Sequence, residues 1–108
     1  MSASYAIEKF SASANLMATS SASLQQRLRM AYMTFHPAQE ADMPTAELKE
    51  AYRSLMQALT AVKDAETGYV PATTAQMTDE EAGVAADLLW DIYSGLRSWR
   101  QDNPGLEL

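Results

Sequence analysis

The sequence has no cysteine and a single histidine, and both scarcities limit its chemistry. Without cysteine the chain has no disulfide, thiolate metal ligand or thiol nucleophile, and it fits a reducing compartment, so we expect a cytoplasmic location. His36 has no glutamate three residues before it, so the Glu-x-x-His pairs of dimetal helical-bundle enzymes are absent. The serines would have only this histidine as a conventional base. We therefore predict no catalytic residue, no bound metal and no cofactor.

Basic residues and long apolar runs are also scarce. Eight lysines and arginines stand against 14 aspartates and glutamates, giving a net charge of −6. Nucleic-acid affinity depends on clustered basic side chains that displace counterions, so we expect no direct binding to DNA or RNA. No apolar run approaches the roughly 20 residues of a membrane helix, and no basic leader precedes an apolar segment. The sequence therefore predicts neither a membrane protein nor an exported one.

Strand patterns are the third absence. No segment alternates apolar and polar residues with a period of two, and β-branched residues are few. The 108 residues, 47% of them hydrophobic, are enough for one modest core. We predict one all-α domain over residues 1–108. Its architecture should be a small antiparallel helical bundle with three clearly indicated helices and an N-terminal helix.

Capping residues and apolar stripes mark the second and third helices. The second should begin after Ser23 and end at His36, because the residue before Pro37 is pushed out of the helical region. The third should begin after Thr45 and run to about Asp64. Its apolar side chains recur every three or four residues, which predicts a core-facing stripe formed by Leu48, Tyr52, Leu55, Leu59 and Val62.

Two segments are less regular. Residues 1–22 are rich in serine and alanine, which predicts either a loosely docked N-terminal helix or an arm. Their apolar side chains follow helical spacing along one narrow face, namely Ala3, Ile7, Phe10, Ala14 and Met17. Residues 65–77 contain Gly68 and Pro71, and we expect an irregular segment that packs across one end of the bundle.

The segment from Thr78 to Arg100 carries two stripes on opposite sides of one helix. The first stripe should face the core and consists of Ala85, Leu89, Ile92, Leu96 and Trp99. The second has the same spacing and consists of Gly83, Ala86, Trp90, Tyr93, Arg97 and Arg100. At about 100° per residue, Trp90 projects away from the first stripe. This helix should therefore have a neighbour on each side.

The second stripe is the one positive functional signal in the chain. Tryptophan, tyrosine and arginine are the residues that most often anchor protein interfaces, and here they are neighbours on one face. Either residues 1–22 or another chain covers this face, and in both cases Arg97 is placed to stack on Trp90. We expect a small acidic protein–protein interaction protein, either a homodimer or an adaptor or inhibitor of a protein partner, with no catalytic activity.

Two alternatives remain open. Some all-α nucleotide pyrophosphatases hold Mg²⁺ with paired carboxylates, and two pairs at helical spacing exist here: Glu47 with Glu50, and Asp87 with Asp91. These residues lie off the core-facing stripes, and no basic or glycine-rich loop is at hand to hold phosphates. The second alternative is an acidic nucleic-acid mimic that inhibits a nucleic-acid-binding protein, which would require carboxylates at phosphate-like spacing.

Overall fold

The computed structural model describes residues 2–105, which form five α-helices and one short 3₁₀ helix. The α-helices are α1 (Ala3–Thr19), α2 (Leu24–Phe35), α3 (Ala46–Leu59), α4 (Tyr69–Gln76) and α5 (Asp79–Asp102), and the 3₁₀ helix is Glu40–Asp42. Residues 2–105 contain no strand. The all-α helical bundle predicted from the sequence is confirmed. None of the helices in this range has the length and apolarity needed to cross a membrane.

Hydroxyl side chains begin four of the helices. Ser2, Ser23, Thr45 and Thr78 each accept a hydrogen bond from the backbone N–H three residues ahead. Each bond satisfies an amide that has no partner within its helix. At Thr78 the bond is reciprocated, because the Glu81 carboxylate accepts from the Thr78 backbone amide at 2.9 Å. The predicted starts of α2, α3 and α5 are therefore confirmed.

An aromatic cluster of Phe10, Phe35 and Tyr52 joins the first three helices. The Phe10 and Phe35 rings stack with their centroids 4.7 Å apart. The Tyr52 ring lies edge-on to both, at 6.3 Å from Phe10 and 6.2 Å from Phe35. Its hydroxyl donates to the Ala38 carbonyl at 3.0 Å, in the connection after α2. Aromatic pairs in these arrangements stabilise a core beyond the area they bury.

The N-terminal segment is a full helix that contributes to this core. Phe10 is completely buried, and Ala3, Ala6 and Ser13 are buried on the same side of α1. The Ser13 hydroxyl donates to the Ala31 carbonyl of α2 at 3.0 Å, which satisfies a buried polar group between two helices. Residues 3–19 thus pack against both α2 and α5, instead of extending from the bundle as an arm.

Helix α3 is shorter than its apolar pattern predicts. Leu48, Tyr52, Leu55 and Leu59 are buried as expected, but the helix ends at Leu59 and not near Asp64. The Thr60 hydroxyl donates to the Met56 carbonyl, and the Val62 amide donates to the Thr73 hydroxyl of α4 at 2.9 Å. A tertiary hydrogen bond thus takes the place of the next helical one, so Val62 lies outside α3.

The prediction of an irregular segment over residues 65–77 is wrong for residues 69–76, which form α4. Gly68 precedes this helix with φ at +99°, a conformation that favours glycine. Pro71 lies in the first turn, where backbone N–H groups have no partner within the helix, so its missing N–H costs nothing. The expected packing across the bundle is present, because Val70, Ala72, Thr73 and Thr74 are buried.

Helix α5 is the longest helix and packs against α1, α2 and α3. Its first stripe faces the core as predicted, with Ala85, Leu89, Ile92 and Leu96 buried and Trp99 half-buried. Gly95 lets α3 approach closely, because a Cβ atom at this position would lie 2.7 Å from a methyl carbon of Leu48. α5 is therefore covered on its core side and on one flank.

The packing of α1 predicts a large effect of Phe10→Ala. Removing a fully buried aromatic side chain should lower the free energy of unfolding by about 3–5 kcal/mol. Urea denaturation followed by circular dichroism measures this loss. Met33→Ala is the control, because Met33 is 60% exposed and its truncation should cost less than about 0.5 kcal/mol. Equal midpoints for the two variants would mean that α1 is not docked.

Tyr52 predicts a specific loss of stability at high pH. Burial raises the pKa of Tyr52 to about 12, with smaller contributions from Tyr32, Asp42 and Glu40. Since the unfolded pKa is near 10, the stabilisation is complete below pH 10 and is lost as the pH rises towards 12. Denaturation midpoints measured across this window should fall more steeply for the wild type than for Tyr52→Phe. Parallel curves would contradict the burial of the hydroxyl.

Candidate functional site

The second stripe of α5, which we call the Trp90 face, comprises Gly83, Ala86, Trp90, Tyr93, Arg97 and Arg100. Trp90 is 57% exposed, although it lies near the middle of the longest helix. Tyr93 is half-buried and Arg97 is exposed. Within residues 2–105 no helix covers the indole, so the widest part of this face is open to solvent.

Aromatic and cationic side chains form a ladder along this face. The Trp90 and Tyr93 ring centroids are 5.2 Å apart with the planes tilted by 52°. The Arg97 guanidinium lies 5.7 Å from the Tyr93 ring centroid, and its Nη1 donates to the Tyr93 hydroxyl at 3.2 Å. The prediction that Arg97 stacks on Trp90 is wrong. Tyr93 is one turn from Arg97 and Trp90 is two turns away, so Tyr93 is the neighbour within reach.

Helix α1 covers only the Arg100 end of the Trp90 face. The Arg100 Nη2 donates to the Ser4 hydroxyl at 2.6 Å, and the buried Arg100 Nε has no hydrogen-bond partner among residues 2–105. Beside this contact, Ile7 and Ser11 of α1 line a groove of about 320 Å³ together with Tyr93 and Arg97. The face is therefore divided: α1 borders the arginines, while Trp90 remains open.

The two small residues of the Trp90 face differ in their surroundings. Within residues 2–105, a Cβ atom added at Gly83 would have no neighbouring atom within 4 Å, so the packing of these residues does not require glycine there. A glycine inside a helix is less favourable than alanine by roughly 1 kcal/mol. Ala86 is half-buried and packs against the core. Gly83 thus leaves an open position about two turns from Trp90 on the same side of α5.

The carboxylates proposed for magnesium do not assemble into a site. Glu47, Glu50, Asp87 and Asp91 are all exposed. Glu50 pairs with Arg53 at 3.0 Å, and Arg53 also pairs with Glu40. Among residues 2–105 no three carboxylate or histidine side chains come close enough to hold a metal ion.

His36 has a structural environment. It caps the C-terminal end of α2, where its backbone N–H donates to the Tyr32 carbonyl. Its ring stacks on the Tyr32 ring with the centroids 5.4 Å apart. The ring is exposed and lies on the helix surface beside Tyr32, as expected for a capping residue.

The sequence missed a second groove, of about 390 Å³, at the opposite end of α5. Val62, Met77 and Val84 are among the side chains that line it, with Thr73 from α4. Val84 is 60% exposed. Since the sequence places residues 65–77 in an irregular segment, it gives no signal that α3, α4 and α5 meet here.

Comparisons of the chain with protein-family models, with curated proteins and with solved structures find no match. Any functional inference for this fold therefore rests on the chemistry of its own surface.

The two sides of α5 should respond differently to truncation. Leu89→Ala removes a buried side chain and should lower the free energy of unfolding by about 2–5 kcal/mol. Trp90→Ala removes an exposed one and should change it by less than about 1 kcal/mol. Urea denaturation at several protein concentrations measures both. A Trp90→Ala loss as large as that of Leu89→Ala at every concentration would place Trp90 in the monomer core.

Proposed function

We propose that this protein acts by binding another protein through the Trp90 face. The observation that supports this is the 57% exposure of Trp90 beside Tyr93 and Arg97. Transfer of an indole from water to an apolar environment is favourable. Burying the exposed Trp90 ring against a partner would therefore contribute to the free energy of binding. Trp, Tyr and Arg are also the side chains that most often dominate measured binding energies.

The ladder geometry favours binding by reducing its entropic cost. Arg97 is held over Tyr93 by a stacking contact and a hydrogen bond. Long side chains lose rotamer freedom when an interface forms, and a side chain that is already positioned loses less. Tyr93 is in turn fixed against Trp90. The three side chains therefore present a partly ordered surface to a partner.

A non-catalytic, cytoplasmic binding protein is the full proposal. The candidate magnesium ligands are exposed, and Glu50 is engaged by Arg53, which is typical of solvated helix faces. The alternative function, an acidic nucleic-acid mimic that inhibits a nucleic-acid-binding protein, is supported only by the net charge of −6. The cytoplasmic assignment rests on the absence of cysteine.

Site-directed photo-crosslinking tests the proposal. Benzoylphenylalanine is placed at position 90 in one sample and at position 84 in another, and each protein is irradiated in an extract of its native cells. The two positions are matched, because Trp90 and Val84 are 57% and 60% exposed on the same helix. We expect position 90 to yield one defined protein adduct that position 84 does not, identified by mass spectrometry.

Arg97→Ala provides the second arm of this experiment. Combined with the crosslinker at position 90, it should weaken capture several-fold, because truncating an arginine that anchors an interface costs about 1 kcal/mol or more. Arg29→Ala is the matched control, since Arg29 is exposed on α2. Adducts that form only from position 84, or that are indifferent to Arg97, would refute the Trp90 face as the interface.

A further inference from the structure

We infer that the partner of the Trp90 face is a second copy of this chain, docked with its α5 antiparallel to the first. This inference rests on the proposed function and names the partner of the same site. It follows from a pattern along α5 that is complementary to itself in shape and in charge.

The outward stripe of α5 has two unlike halves. Extending the stripe back by one turn gives Asp79, and its residues then follow 4-3-4-3-4 spacing, in the order Asp79, Gly83, Ala86, Trp90, Tyr93 and Arg97. The first three positions carry a carboxylate and two small residues, and the last three carry two aromatic rings and a guanidinium. At 3.6 residues per turn these six positions share one side of the helix.

Consider two antiparallel copies of α5 related by a two-fold axis that passes between them at the level of residue 88. The first half of each stripe then faces the second half of the other. In an antiparallel arrangement Trp90 then lies opposite Ala86 of the second copy, and Tyr93 lies opposite Gly83. Arg97 lies opposite Asp79. Each large side chain meets a small one and the cation meets the carboxylate, and the two-fold symmetry gives every contact twice.

The structure leaves these positions accessible. Asp79 and Arg97 are both exposed, and within residues 2–105 neither forms an ion pair. Asp79 accepts one hydrogen bond, from Gln25 to its Oδ1 at 2.9 Å. The open space around the Cα of Gly83 is where the Tyr93 ring of the second copy would lie. This contact gives Gly83 a packing role that the monomer does not.

Charge complementarity is what distinguishes a second copy from an unrelated helix. Among residues 2–105 Arg97 has no carboxylate partner, although the net charge of the chain is −6. In the antiparallel dimer, Asp79 of the second copy supplies that carboxylate. The contact is one helix wide, which is small compared with stable interfaces. We therefore expect a weak dimer whose population depends on concentration.

A charge-exchange experiment tests this arrangement. Sedimentation equilibrium over a roughly hundredfold range of concentration should show the wild type passing from monomer to dimer. Arg97→Asp and Asp79→Lys should each weaken association by about tenfold or more, because each brings like charges together. An equimolar mixture of the two variants should associate again, since the substituted side chains then face each other with opposite charge. Arg29→Asp should associate like the wild type.

Gly83→Leu tests the steric half. Within residues 2–105 a Cβ atom at this position meets no atom within 4 Å, and leucine is a better helix former than glycine. The variant should therefore remain helical and unfold no earlier than the wild type, while its dimer should be lost. Ser98→Leu, at an exposed position on another side of α5, should keep the dimer.

A wild type that is monomeric throughout, a mixture that fails to associate, or a Gly83→Leu dimer would overturn the inference. If a different protein is then captured at position 90 in an Arg97-dependent manner, the proposed function survives and only the identity of the partner is wrong.

Discussion

The contact between Phe10, Phe35 and Tyr52 is the constraint on which the rest of the fold depends. Each ring comes from a different helix, so stacking them fixes α1, α2 and α3 relative to one another. Tyr52 also ties its helix to the connection after α2 through the Ala38 carbonyl. α5 packs against all three of these helices, and its buried side chains include Ala85, Leu89, Ile92 and Leu96.

The exposure of Trp90 follows from this arrangement. α1 is held by Phe10 against α2, so it reaches α5 along one flank and meets it near Arg100. At this border Ile7 and Ser11 of α1 line the groove beside Tyr93 and Arg97, and Trp90 is not among the residues of that groove. With Phe10 of α1 completely buried in the aromatic cluster, Trp90 is 57% exposed. The core therefore determines which part of the surface stays apolar and open.

The sequence was sufficient where structure is local and periodic. The apolar stripe from Leu48 to Leu59 and the cap at Thr45 depend on residues a few positions apart, and both were predicted. The two wrong predictions, the end of α3 and the irregular segment, depend on contacts that are distant in sequence or on a backbone conformation. α3 ends early because the Val62 amide donates to the Thr73 hydroxyl. Pro71 fits a helix only because α4 starts two residues before it, directly after Gly68, which places Pro71 in the first turn. For the candidate site, periodicity places Trp90 opposite the core. Periodicity does not determine how far α1 extends over that face. It also does not show that the Arg97 guanidinium lies over the Tyr93 ring and not over Trp90.

The buried Ser13 hydroxyl has a consequence for the uniqueness of the fold. Beside the stacked rings of Phe10 and Phe35, the buried residues of α1 and α2 include Ala6 and Ala31, whose small apolar side chains specify an alignment less strictly than a hydrogen bond does. The bond from Ser13 to the Ala31 carbonyl exists in one alignment only, and any slip would strand a buried hydroxyl at a cost of about 1–3 kcal/mol. This hydrogen bond therefore favours the same alignment of α1 and α2 as the stacked Phe10 and Phe35 rings. It makes that alignment more specific than the apolar contacts alone would.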